Sequence, residues 1–321
     1  MADRQVLVLG GSGFVGRNVV AALERRGIRN CSASRAQGID LRDAGQALRL
    51  LEATQPSFVI NCAAHVGSLN YVTRQAAQVV TDNTRMILNL YEALAKASTH
   101  SVIINPIANC AYPASVESLS ESAWWNGPLH QTVLSYGATR RMLWAVGECF
   151  KMQHGIRSIS LLVPNMYGPF DSEDPNKAHA LDALVVKFLK AQKRGANEVE
   201  VWGTGTAIRE WLYAPDLGRI VADIIEAPQT LGLDEPVNIG QNFGLSVREL
   251  VGVITTELQY AGGVKWDHSM PDGAPRKVMD DRKFRSIFPK FRFTSLNVGV
   301  RETCDYFRRT LNPQPAKAHH I

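Results

Sequence analysis

The sequence predicts an α/β fold: a doubly wound parallel sheet with a smaller, interleaved C-terminal substrate-binding portion. Three observations carry this. A continuous apolar run, Val6–Leu9, leads directly into Gly10, Gly13 and Gly16. Strand and helix patterns then alternate through the first half, which implies parallel strands with helices on both faces. Beyond Pro164 the texture changes, and loops rich in Pro, Gly, Asp and Asn at 168–176, 203–206 and 271–275 separate shorter elements. Together they describe a Rossmann-type sheet.

Val6–Leu9 has no alternation, as suits a parallel strand buried on both faces. The glycines fall at the strand-to-helix junction, where the helical pattern Val15, Val19, Ala22, Leu23 begins. Backbone N–H groups of such a turn can approach a pyrophosphate at the positive end of a helix dipole. Gly10, Gly13, Phe14 and Val15 are therefore expected to seat a dinucleotide, with a purely structural turn as the alternative.

A second strand over Asn30–Ala33 ends at Ser34-Arg35. An acid there would bond the ribose 2′-hydroxyl of NAD, whereas a basic residue beside a hydroxyl favours the 2′-phosphate of NADP. Ser34 and Arg35 thus point to NADP, with NAD as the alternative. Asp40-Leu41 is placed to flank the adenine, the carboxylate accepting from its amino group. A helix over 44–51 precedes a third strand over 58–60, which runs into Asn61-Cys62-Ala63-Ala64. Ala63 and Ala64 are expected beside the cofactor.

Helical periodicity covers much of 70–96, and a fourth strand spans 102–105, with Pro106 breaking whatever follows. A helix over 135–152 and a fifth strand over 158–163 close the first half. Ser246 with Glu249 reads as a capping box that opens a helix through Leu258. The expected division is a dinucleotide-binding part, 1–165, to which 210–240 returns, and a substrate part, 166–209 and 241–321.

With 321 residues, 45% hydrophobic and 20% charged, the chain has the composition of a globular protein with a sizeable core. Its net charge of +5 suits an anionic small substrate, and no dense basic stripe argues for nucleic acid. The five cysteines are odd in number and lack the close pairs of a zinc site, so buried reduced thiols and no metal are expected. No apolar run reaches membrane-spanning length and the first strand begins almost at once; a cytoplasmic protein without a membrane partner is expected.

Tyr136 and Arg140 stand four residues apart, on one helical face. A tyrosine working as acid or base near neutrality needs its pKa of about 10 lowered by positive charge. Arg140 is placed to supply it.

The glycine spacing, Asp40-Leu41, Asn61-Cys62-Ala63-Ala64, the Tyr136 helix and Pro164-Asn165-Met166-Tyr167-Gly168-Pro169 together resemble the extended short-chain dehydrogenase/reductases, the NAD-dependent epimerase/dehydratase family. Further residues narrow the resemblance to epimerase/reductases of the GDP-L-fucose synthase type, which act on GDP-4-keto-6-deoxymannose. They are Asn109-Cys110-Ala111-Tyr112-Pro113, His179, Val201-Trp202-Gly203-Thr204-Gly205-Thr206, Arg209-Glu210-Trp211-Leu212 and Pro271-Asp272-Gly273-Ala274-Pro275-Arg276-Lys277.

That family uses a Ser/Thr–Tyr–Lys set, the tyrosine delivering a proton and the lysine holding the nicotinamide ribose. The resemblance puts Tyr136 at the tyrosine, Arg140 at the lysine, and Ala108 at the serine with Asn109 beside it. Arginine keeps the charge, but its planar fork reaches differently from an ammonium. Ala108 cannot polarise a carbonyl, and losing one such donor costs roughly 100- to 1,000-fold unless another group, here the Asn109 amide, replaces it. Cys110 and His179 match the pair that moves protons beside the 4-keto group; a thiol near pKa of about 8.5 and an imidazole near about 6.5 suit that exchange.

The resemblance also implies that Lys187 and Arg209 pair with a sugar-nucleotide diphosphate, that Trp202 stacks on the base, and that Pro164 and Asn165 lie beside the cofactor and the reaction centre. It implies an NADP-dependent epimerase/reductase of a GDP-4-keto-6-deoxy sugar, and a homodimer packed through the helices carrying Tyr91 and Tyr136. Isomerisation without net reduction and a non-catalytic nucleotide-binding role stand as alternatives. Trp124-Trp125 would line the sugar pocket or seal the dimer contact, and His65 receives no role.

Overall fold

The computed structural model describes residues 5–116, 118–227, 233–270 and 272–312. Five parallel strands, β1 (Val6–Leu9), β2 (Asn30–Ala33), β3 (Phe58–Asn61), β4 (Val102–Ala108) and β5 (Arg157–Val163), lie in the order β2-β1-β3-β4-β5, and Val237–Asn238 adds a sixth beside β5. The chain steps from β1 to β2 on one side, then crosses to β3 on the other, pairing Val6 with both Asn30 and Phe58. The crevice at that reversal, above the carboxyl ends of β1 and β3, is where open α/β sheets bind ligands.

Period-two alternation along β1 divides the core. Val6 and Val8 face α1 (Phe14–Arg25) and a later helix, Ala214–Glu226. Leu7 and Leu9 face α2 (Ala44–Thr54), α4 (Ala76–Ala97) and α5 (Leu134–His154). Both faces are therefore apolar, which explains the unbroken hydrophobic run. The helical stretch expected over 70–96 is two helices, α3 (Leu69–Arg74) and α4, because Gln75 leaves helical geometry at φ −105°, ψ 28°. Thr73 Oγ1 donates to Thr132 O and Ser135 Oγ to Val72 O, fixing α3 on the start of α5.

The expected break at Pro106 does not occur. β4 continues to Ala108, pairing 105–108 with 160–163. β3 pairs with β4 only as far as Ile104, so one edge of β4 is open there and a residue without an N–H is tolerated.

Past β5, the chain forms β6 (Asn165–Tyr167), α6 (Ala180–Lys193), β7 (Glu198–Trp202), β8 (Ile208–Arg209), β9 (Trp211–Tyr213) and α7 (Ala214–Glu226). The sixth sheet strand is β10; β11 (Leu245–Ser246), α8 (Val247–Leu258), β12 (Gly263–Asp267), β13 (Arg276–Lys277), α9 (Arg282–Ile287) and α10 (Leu296–Leu311) follow. The expected capping box is present: Ser246 Oγ accepts from Glu249 N–H, and Ser246 N–H donates to the Glu249 carboxylate. A separate core joins Leu181, Val185 and Phe188 of α6 to Ile254 of α8 and Phe307 of α10. β8 pairs with both β11 and β13, bringing Arg209 level with Lys277.

All five cysteines are free, but only Cys110 and Cys304 are buried; Cys31 and Cys62 are half-buried and Cys149 is exposed. Among the described residues no helix is long and apolar enough to cross a membrane. Trp124 is buried and stacks on Trp125, with Trp144 edge-on to both; Trp125 remains 47% exposed. Trp124 thus belongs to the core beneath α5.

Candidate active site

The turn after β1 is shaped by what its glycines exclude. Gly10 has φ +72°, and a Cβ there would lie 2.8 Å from the Cys62 carbonyl and Ala63 N. A Cβ on Gly16 would lie 2.2 Å from the Gly10 carbonyl oxygen, which accepts from Gly13 N–H at 2.9 Å. Gly13 is the N-cap of α1 and supplies no side-chain cap, so the helix presents bare N–H groups at its positive end. This cradle fits a dinucleotide pyrophosphate. Phe14 and Val15 open the helix and pack partly on the core, and Ala63 and Ala64 follow β3 across the crevice.

At the end of β2, Ser34 Oγ donates to Gln37 Oε1 at 2.8 Å. Arg35 is exposed, and its guanidinium makes no hydrogen bond or ion pair among the described residues. Asp40 departs from expectation. Its carboxylate is forked by Arg42, with Nη2–Oδ2 at 2.6 Å, which holds it down to about 2. An adenine amino group would compete with that pair, so the free acceptor expected there is already engaged. Leu41 is buried and its carbonyl accepts from Asn89. Arg42 also reaches Asp82, whose Oδ2 lies 2.8 Å from His65 Nδ1, and His65 Nε2 lies 2.7 Å from Tyr71 OH. His65 thus joins Asp82 and Tyr71 in a hydrogen-bonded chain that begins at the Arg42–Asp40 pair.

The central cluster forms where α5 meets a short turn, Asn109–Ala111, after β4. Gly137 permits the approach, since a Cβ there would lie 2.6 Å from the Cys110 carbonyl oxygen. Tyr136 and Cys110 are consequently neighbours, close enough for Cys110 to disfavour the phenolate. Arg140 lies with Cζ 4.8 Å from the Tyr136 ring centroid and is itself buried. Its Nη2 donates to Asn83 Oδ1 at 3.1 Å, while its Nε is buried without a partner. Asn109 Nδ2 is a second buried donor without a partner. Both orphan donors fit an oxygen-bearing ligand.

Charge alone does not lower the phenol as expected. Burial raises the pKa of Tyr136, with Arg140 pulling it down and Cys110 pushing it up; burial wins. Burial likewise pushes the Cys110 thiol up to about 11, against the pull of Lys277 first and Arg140 second. Lys277 belongs to the segment that carries the family resemblance, but sequence reasoning assigns it no role of its own. Burial lowers its ammonium, and it faces Cys110 with Arg209 alongside. Asn83 was also missed.

Arg209 is half-buried and donates to the carbonyls of Ile208 and Asp272 at 2.8 and 2.9 Å; burial lowers its pKa, Asp272 opposing. Lys187 is exposed on α6, and Trp202 is 53% exposed at the end of β7, so it is not a core tryptophan. Asn165 Nδ2 donates to Glu210 O, and Pro164 joins β5 to β6. Glu210 is fully buried, its carboxylate accepting from the N–H of Gln241 and, at 2.7 Å, of Met279. His179 precedes α6, and its ring lies 4.9 Å from that of Phe14, against the glycine turn. Pro271 lies outside the described residues, while the neighbouring Asp272 accepts from Thr204 N–H and Oγ1. Among the described residues no group of His, Cys, Asp or Glu could hold a metal ion.

The sequence profile of the NAD dependent epimerase/dehydratase family matches residues 6–240. The chain is 29% identical over 316 residues to GDP-L-fucose synthase 1 of Arabidopsis thaliana, covering 97% of this chain and 96% of that one. It is 28% identical over 310 residues to GDP-L-colitose synthase of Yersinia pseudotuberculosis, covering 96% and 99%. The fold matches a GDP-L-fucose synthetase from Naegleria fowleri, determined bound to NADP, with a TM-score of 0.82, 24% identity, and coverage of 97% and 94%.

Proposed function

The chain belongs to the NAD dependent epimerase/dehydratase family of enzymes, and from that premise we propose that it is an NADP-dependent epimerase/reductase of a GDP-linked 4-keto-6-deoxy sugar. One observation carries the reading: a phenol, a thiol and two cations, Tyr136, Cys110, Arg140 and Lys277, converge past the carboxyl end of β4, on the same edge of the parallel sheet as the uncapped glycine turn after β1. The names of the two sequence relatives support a GDP-sugar substrate.

In this reading Gly10, Gly13, Phe14 and Val15 hold the pyrophosphate through backbone N–H groups, and Ser34 with Arg35 holds the 2′-phosphate. Leu41, Ala63, Ala64 and Pro164 flank the remainder of the cofactor, and Arg140 offers its free Nε to ribose oxygens. The bound nicotinamide supplies the hydride. Tyr136 delivers the proton to the carbonyl oxygen, which the Asn109 amide polarises in place of the hydroxyl that Ala108 lacks. Cys110 and His179 remove and return the protons beside the ketone. Arg209 forks the diphosphate and Lys187 and Lys277 add point charges, Trp202 stacks on the base, and Asn165 contacts the sugar. Residues 1–165 with 210–240 bind cofactor and 166–209 with 241–321 bind substrate. The enzyme works in the cytoplasm as a homodimer through α4 and α5, whose exposed Val80, Leu88 and Met152 favour such a contact.

Ala108 favours a second reading, epimerisation without net reduction. One experiment separates the two. GDP-4-keto-6-deoxymannose and NADPH are incubated with the protein in D2O, following NADPH absorbance and deuterium in the sugar. Deuterium incorporation with NADPH consumption supports the full reaction. Incorporation alone supports the second reading, and neither overturns both.

A further inference from the structure

His179 is held by an arrangement that the acid/base reading does not require. Its backbone N–H and its Nδ1 both reach Oδ2 of Asp171, at 2.7 and 3.1 Å. The Asp171 side chain is only 4% exposed. The segment leading to it is pinned at three points. Gly168 N–H donates to Asp182 Oδ1 at 3.0 Å, and Asn18 Nδ2 of α1 donates to Pro169 O at 2.9 Å. Phe170 sits at φ +76°, a conformation costly for a residue with a Cβ, beneath the Arg17 guanidinium at 4.1 Å and edge-on to Tyr306.

Asp182, in the first turn of α6, is fully buried. Its Oδ1 takes the Gly168 N–H, and its Oδ2 has no donor. The titratable groups facing it are Asp171, the Tyr167 phenol of β6 and the Cys304 thiol of α10, and no ion pair or donated side-chain hydrogen bond to it occurs among the described residues. A buried carboxylate oxygen with a second carboxyl beside it and no donor is an expensive arrangement, and a proton on one of the pair removes the cost. Burial first and Asp171 second drive Asp182 well above the carboxylate range, outweighing the Gly168 N–H.

We propose that Asp182 is a neutral carboxylic acid hydrogen-bonded to Asp171, and that this pair locks His179 in the tautomer with hydrogen on Nδ1, leaving Nε2 as the proton acceptor of the site. Asp171 and Asp182 are positioning residues. The functional weight of the lock rests on the acid/base role proposed above for His179, but the tautomer can be read without turnover.

Long-range 1H–15N spectra of the histidine-labelled full chain, assigned with His179→Gln, report that tautomer. The wild type should show neutral His179 protonated on Nδ1. Asp171→Ala should move the hydrogen to Nε2 and slow deuterium exchange into the sugar about 10- to 100-fold, in kcat rather than KM. Asp182→Asn keeps a donor toward Asp171 and an acceptor toward Gly168, so it should retain both tautomer and rate, whereas Asp182→Leu should lose both. An Nδ1-protonated ring surviving in Asp171→Ala, or Asp182→Asn behaving like Asp182→Leu, overturns the lock. The expected spectra in a protein whose wild type exchanges no deuterium would sustain the lock and reject the role of His179.

Discussion

Replacing Glu210 by Gln tests how burial and hydrogen bonding divide a carboxylate's loyalty. Burial raises Glu210 from 4.5 to about 7, although Gln241 and Met279 donate backbone N–H groups to it. Because the folded pKa lies above the unfolded one, the stabilising contribution is complete below about 4.5 and is lost as pH rises through about 7. At about 1.4 kcal/mol per pKa unit the full loss is roughly 3 kcal/mol, of which most falls between pH 5 and pH 8. Gln does not ionise, but its amide offers only one acceptor to two N–H donors, a pH-independent cost of about 1–3 kcal/mol. Urea unfolding of both proteins at pH 5, 6, 7 and 8 reads the difference, and other titrating groups cancel. Glu210→Gln should be the less stable protein at pH 5, and the gap should shrink by roughly 2–3 kcal/mol by pH 8. A gap that stays constant would refute the reasoning, because it would mean that the two backbone donors keep Glu210 ionised throughout.

Gly16→Ala should weaken NADPH binding at least about tenfold and destabilise the fold by about 1–3 kcal/mol, since its Cβ would meet the Gly10 carbonyl at 2.2 Å; calorimetric titration measures the first. With the Cys110 thiol near 11, exchange through its thiolate should rise roughly tenfold per pH unit from neutrality, and Cys110→Ser should abolish that slope in mass-spectrometric deuterium counts. Arg140→Met removes the charge that pulls the phenol down and should displace the pH profile of reduction to higher pH, whereas Arg140→Lys should keep the profile and equal or higher turnover. A collapse in Arg140→Lys would give the Asn83 contact a role of its own.

Most of the sheet was legible because central strands buried on both faces are largely apolar: Val6–Leu9 matches the sequence reading and 58–60 and 158–163 differ by one residue, while the polar edge strand Asn30–Ala33 also matches. Pro106 misled because the shortness of β3, which frees one edge of β4, is a property of the neighbouring strand. In the site, spacing placed Tyr136 and Arg140 together but could not weigh desolvation, which reverses the expected direction for the phenol. Lys277 is brought toward Cys110 by contacts between distant segments: β13 pairs with β8, and Met279 just after it bridges Leu119 in the stretch that follows Cys110. Asn83 gave no signal, since an asparagine inside a helix marks no periodicity. Asp182 reads from sequence as an ordinary acid in a helix's first turn; only its enclosure makes it unusual.

The gap at Gly137 has a mechanical consequence. Because α5 rests directly on the carbonyl of Cys110 there, the backbone that carries the phenol and the backbone that carries the thiol have no slack between them. A displacement of the helix therefore presses on the turn that carries Cys110, so the proton delivery proposed for Tyr136 and the proton exchange proposed for Cys110 would be retuned together by a shift of the backbone. β8 and β13 meet the site from segments distant in the chain, and Arg209, level with Lys277 on that pair, is the position from which the proposed substrate contacts could change without a shift of α5.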